Sequence, residues 1–116
     1  MQKKVIYISG PITGVDRYWE AFEQAEEDLI GLGHIPLSPA HLPQGMTNEQ
    51  YMRINFAMID SADAVVFLPG WGNSQGAFLE HAYCQYTGKP HIYQTRANSR
   101  EIVLTQIKHD LEEVFT

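Results

Sequence analysis

The apolar positions of this 116-residue chain switch repeatedly between short continuous runs and a helical spacing, the mark of strands alternating with helices. Val5-Ile-Tyr-Ile8 is a β-rich run closed by Gly10 and Pro11 and reads as the first strand. A helix follows, with Asp16 as its expected cap, Tyr18, Phe22, Ala25 and Leu29 at helical spacing, and Gly31 and Gly33 as the stop. Ile35 to Leu37 forms a weak second strand, confined to a sheet edge by Pro36. Thr47-Asn-Glu-Gln50 is a capping box, and the stripe of Met52, Phe56 and Ile59 behind it predicts a second helix. Ala64-Val-Val-Phe-Leu68 is apolar without a break, as expected of a central parallel strand buried on both faces, and Pro69-Gly70 ends it. A third helix is expected from about Gln75 to Tyr86, stopped by Gly88, and a brief strand from His91 to Tyr93. Ser99 caps a last helix carrying Val103, Leu104, Ile107, Leu111 and Val114 on one side.

Strands and helices in strict alternation require parallel pairing with right-handed crossovers. The fold class is therefore α/β, a three-layer doubly wound parallel sheet of four or five strands in the order 2-1-3-4, Rossmann or flavodoxin-like. In that order the winding reverses between strands 1 and 3, and ligands bind outside the carboxyl ends of those strands. Two loops meet there, Ser9-Gly-Pro-Ile-Thr-Gly14 and Pro69-Gly-Trp-Gly-Asn-Ser-Gln-Gly76, the two most glycine-rich segments of the chain.

Composition narrows the partners. With 44% hydrophobic and 19% charged residues the chain can bury an ordinary core, and its length fits one domain spanning residues 1–116. A net charge of −6 gives no footing for counterion release, so nucleic acid polymers are not expected partners. The lone Cys84 fits a reducing compartment, and the longest apolar stretch, Ala64 to Leu68, is far short of a membrane span. A cytoplasmic protein without membrane association is expected.

The loops exclude several chemistries. The glycine spacing at 10 and 14 does not match the dinucleotide fingerprint, and Ser38 and Pro39 stand where an acidic residue would end strand 2. No Gly-Lys-Ser/Thr is present, and the five histidines show no metal spacing, so neither cofactor nor metal is expected. Ser74 is placed to cap the third helix, and Glu80 follows it on the second turn, close to the crevice. Its flanks, Ala77, Phe78, Leu79, Ala82 and Tyr83, are apolar, a setting where a carboxylate is costly unless it has a partner or a task.

Read in order, Tyr7-Ile-Ser-Gly-Pro-Ile-Thr-Gly14, Asp63-Ala-Val-Val-Phe-Leu-Pro-Gly70 and Ser74-Gln-Gly-Ala-Phe-Leu-Glu80 resemble the nucleoside 2-deoxyribosyltransferase superfamily over residues 4 to about 93. The resemblance is strongest to its small phage-associated branch and extends to the deoxynucleoside 5′-monophosphate N-glycosidases. It implies that Glu80 attacks C1′ of the deoxyribose, that Tyr7 orients the carboxylate, and that Ser74, at a helix N-terminus, holds the 5′ end. It further implies binding by Ser9, Gly10, Pro11, Thr13 and Gly14 of the first loop and by Gly70, Trp71 and Gly76 of the second. Two positions depart from the pattern. Thr13 replaces a basic phosphate contact, and Asn55 replaces the aspartate that handles the proton of the departing base; an amide can hydrogen-bond a base but cannot give and recover a proton. Asp60 is a poor substitute, since five residues turn a helix by about 500°. Asp63 is expected to cap or anchor the crevice floor.

Among the aromatic residues, Trp71, Trp19 and Tyr18 are candidates to stack on a base or sugar; Tyr18 fits the helix stripe better as core, and Trp71 is expected at the ligand or at a subunit contact. Cleavage or transfer of the N-glycosidic bond of a deoxynucleoside or its monophosphate is the leading expectation. The alternative is a catalytically silent nucleotide-binding module. A homo-oligomer is expected, as pockets of the superfamily are completed by a neighbouring subunit.

Overall fold

A computed structural model describes residues 2–116. Its elements follow the sequence pattern: β1 (Val5–Ser9), α1 (Tyr18–Gly31), β2 (Ile35–Leu37), α2 (Asn48–Ser61), β3 (Ala64–Phe67), α3 (Gln75–Thr87), β4 (His91–Tyr93) and α4 (Arg100–Val114). The four strands form one parallel sheet in the order β2-β1-β3-β4, with Tyr7 beside Leu37 on one side and Val65 on the other. Pro36 sits on the edge strand, where its missing N–H breaks no ladder.

Strand alternation sorts β1 between two cores. Ile6 and Ile8 join Ala64, Val66 and Leu68 under α1 and α4, packing on Phe22, Ala25, Leu29, Val103, Ile107 and Leu111. Tyr7 points the other way, into a second core with Val65, Phe67, Ile59 of α2 and Cys84 of α3. Any odd-numbered residue of β1 therefore faces α2 and α3. Gly10 ends this strand under a steric constraint, since a Cβ there would lie 3.0 Å from Leu68 Cβ, tight enough that Leu68 would have to give way.

The helix ends follow the sequence with one exception. Thr47 and Gln50 make a reciprocal capping box, Ser74 and Ser99 accept N–H groups of α3 and α4, and Gly88 takes the left-handed C-cap of α3. Asp16, expected to cap α1, does not: Arg17 occupies the cap position at φ 55° with no side-chain cap, and its guanidinium pairs with Glu20 across one turn.

Asp63 also departs from expectation. It precedes β3, at the amino end of the sheet, and its carboxylate accepts the Val5 N–H at 2.8 Å while its own N–H donates to the Val5 carbonyl at 2.7 Å. It staples β1 to β3 at the end opposite the crevice.

Candidate functional site

On α3, Ala77, Glu80 and Cys84 are the buried residues, a spacing that gives the helix one core-facing stripe with a carboxylate in its middle. On α2 the buried pair Asn55 and Ile59 is one turn apart. Tyr7 and Ser9, two residues apart on β1, project to the same side of the sheet. These placements converge on Glu80, which is only 3% exposed. Ser9 Oγ donates to its Oε1 at 2.7 Å, Asn55 Nδ2 donates to its Oε2 at 3.0 Å, and the Tyr7 hydroxyl lies 3.2 Å from both oxygens. The carboxylate is thus held by three uncharged donors.

The electrostatics follow from that geometry. Burial pushes the Glu80 carboxyl above the ordinary carboxylate range, and the donors from Ser9, Asn55 and Tyr7 pull it back only in part. Burial, reinforced by the neighbouring Glu80 charge, pushes the Tyr7 phenol well above its usual range, so it remains a donor. The same two causes, in the same order, push Cys84 up to about 11.

Glu80 and Asn55 line a cavity of about 620 Å³, a volume suited to a small organic ligand. Gly10 and Thr13 of the first loop and Ser74 and Gly76 at the start of α3 line it as well. Ser74 Oγ already accepts the Ala77 N–H at 3.3 Å, so the residue is both helix cap and cavity wall. Asn55 Oδ1 is buried without a donor. Among the described residues, the charged ones on the wall are Glu80 and Glu49, and no lysine, arginine or histidine lines it.

Several expected contacts fall elsewhere. Ser9 and Tyr7 are fully buried behind Glu80 and do not line the cavity. Pro11 packs against Gly70, and neither they nor Gly14 reach the wall; Gly14 and Gly70 both take positive φ, serving the turns. Trp71 is turned away: its indole stacks on the His81 ring at 4.1 Å and packs on Phe67 and Tyr93. Trp19 does not line the cavity, whereas Tyr18 both packs against the core and lines it. Asp60 accepts the Tyr83 hydroxyl at 2.6 Å and stays off the wall.

Sequence reasoning missed one wall. Leu42, Gln44, Asn48, Glu49, Tyr51 and Met52 close the cavity from the β2–α2 connection and the first turns of α2. Tyr51 fixes this segment, its hydroxyl donating to the Pro43 carbonyl and accepting the Met46 N–H. The signal was present, because in a parallel sheet every strand-to-helix connection emerges at the carboxyl edge where the crevice lies.

Fold and site together define a doubly wound α/β domain with a buried carboxylate beneath a ligand-sized cavity at the carboxyl edge of its sheet. Residues 4–93 match the family described as Domain of unknown function (DUF4406), and the chain belongs to that family. Its fold is shared with a 2-deoxyribosyltransferase of the psychrotolerant bacterium Bacillus psychrosaccharolyticus, described as a biocatalyst for synthesis of antiviral and antitumoral nucleosides, at TM-score 0.67 and 16% identity over 95% of each chain. No curated protein matches the sequence. Among the described residues no helix is long and apolar enough to cross a membrane, and no cluster of three His, Cys, Asp or Glu side chains is placed to hold a metal ion.

Proposed function

We propose that this protein cleaves or transfers the N-glycosidic bond of a deoxynucleoside, with Glu80 as nucleophile. The observation that carries the reading is a carboxylate 3% exposed, gripped by three neutral donors and bordering a cavity of about 620 Å³. A structural carboxylate at such depth is ordinarily neutralised by a cation, as Asp28 is by Arg100 on the other side of this sheet. Among the described residues, Glu80 has no such partner.

In the proposed step an oxygen lone pair of Glu80 bonds to C1′, and the C1′–N bond breaks with its electron pair leaving on the base nitrogen. Water then supplies the base with a proton, since Asn55 has none to give. Attack of water, or of an acceptor base, on the resulting ester releases the sugar and restores the carboxylate. The buried Asn55 Oδ1 can accept an N–H of the ligand. A wall bearing two carboxylates and no cation favours an uncharged nucleoside over its monophosphate.

Asn55 also favours a second reading, a nucleotide-binding module without turnover. Incubation with a panel of deoxynucleosides and monophosphates, followed by chromatography for free base, separates the two. Base released by wild type and not by Glu80→Ala supports the enzyme; binding without release supports the module. The expected homo-oligomer, with Trp71 and the apolar edge of α2 as proposed contacts, is tested by light scattering at micromolar concentration, where a strictly monomeric mass would remove it.

A further inference from the structure

Ser9 is 0% exposed and does not line the cavity. Its hydroxyl makes one hydrogen bond, the 2.7 Å contact to Glu80 Oε1, shorter than those from Asn55 and Tyr7. Asn55, which does line the cavity, holds the other oxygen. The carboxylate is therefore anchored from behind through Oε1, while Oε2 is held by a residue of the cavity wall. We infer that Ser9 is a positioning residue, which fixes the orientation and ionisation of Glu80 so that Oε2 is the attacking oxygen, and is not a ligand contact. The inference rests on the proposed function for its consequence, though the interaction itself is independent of it.

The surroundings leave this task to neutral donors. Among the described residues, β1 faces Glu80 with Tyr7, α3 with Cys84 one turn along, and α2 with Asn55; of these only Tyr7 and Cys84 titrate, and burial keeps both protonated at neutral pH. Removal of a donor to a buried anion favours its neutral form, so loss of the Ser9 hydroxyl raises the Glu80 pKa.

The test is a ¹³C carboxyl NMR titration of the full chain, the Glu80 signal assigned by its loss in Glu80→Gln, alongside base release across pH. Ser9→Ala is expected to raise the Glu80 midpoint by about one to two pH units, the worth of one hydrogen bond to a charged group. Ser9→Thr restores it, and Ser9→Cys, nearly isosteric but a weaker donor, lies between should the extra methyl prevent folding. In turnover, Ser9→Ala lowers kcat tenfold or more, leaves KM within twofold, and moves the acid limb up with the midpoint. An unmoved midpoint overturns the inference, as does a raised KM at unchanged kcat, which would make Ser9 a ligand contact. If wild type releases no base, the proposed function fails, while the midpoint still decides the role of Ser9.

Discussion

Substitution of Asn55 by aspartate places a second carboxylate where Nδ2 now lies 3.0 Å from Glu80 Oε2. Two unit charges at about 3 Å repel by about 5 kcal/mol at an effective dielectric of about 20, so the pair cannot ionise fully near neutrality and shares one proton. Two consequences follow. The folded state now holds a proton that the unfolded chain has released, so stability falls as pH rises, by about 1.4 kcal/mol per pH unit while that proton is retained. From pH 5 to 7 the variant is expected to lose about 2.5 kcal/mol by this route. The shared proton is also available to the departing base. A general acid contributes about 10²- to 10⁴-fold, and because this one is shared with the nucleophile we expect at least a tenfold gain, about 1.4 kcal/mol of barrier. The pH profile of base release should change from a single acid limb to a bell. Chromatographic base release from pH 4 to 9, with urea unfolding at pH 5 and 7, measures both. A variant with the wild-type stability slope and a single-limbed profile would refute the shared-proton reasoning. So would wild-type release that is already fast and unaffected by the change, because another residue would then supply the proton.

Glu80→Gln and Glu80→Ala are both expected to abolish base release, since neither can form the ester, and retained turnover in either removes Glu80 as nucleophile. In wild type the raised folded pKa of Glu80 makes its contribution to stability present below the unfolded carboxylate range and lost as pH rises through the folded value; Glu80→Gln should flatten that slope in denaturant titrations across the acid range. Tyr7→Phe keeps the ring that fills the second core but removes the bifurcated donor, so the acid limb of base release should move up while stability, read by urea unfolding, changes by about 1 kcal/mol or less. Asp63→Ala should cost about 1–2 kcal/mol in the same measurement, with base release unchanged, because its bond to Val5 lies at the far end of the sheet.

Much of this arrangement was legible in the sequence because it rests on local pattern. The unbroken run at Ala64–Leu68, the capping box at Thr47 and the alternation of periods suffice for a parallel sheet, and the strand order then locates the crevice. Glu80 stood out as a charge among apolar neighbours; the structure adds its place between Ala77 and Cys84 on the buried stripe of α3. What local pattern lacks is long-range direction. Trp71 sits in a glycine-rich loop, yet the short 3-10 turn at Trp71–Asn73 folds the indole back onto Phe67 and His81, where it gains aromatic packing. Ser9 carries no signal of its own. Only its two-residue offset from Tyr7 on one strand points to a shared partner, found 71 residues later.

The composition of the Glu80 cage bears on how such a site is balanced. A lysine or arginine beside the carboxylate would stabilise its charge more strongly than any hydroxyl, but would hold its electrons in an ion pair and depress its basicity. Three neutral donors keep the group in place while burial keeps its pKa high, and a carboxylate of higher pKa is the stronger base toward an electron-poor carbon. The opposite solution stands in the same molecule: Asp28, also buried, is paired with Arg100 and bonded by Gln24, between α1 and α4. That carboxylate does not line the cavity bordered by Glu80. With Glu80 as the proposed nucleophile, the two carboxylates divide the roles: one charge is held for packing between α1 and α4, and the other is proposed for chemistry on the α2–α3 side of the sheet.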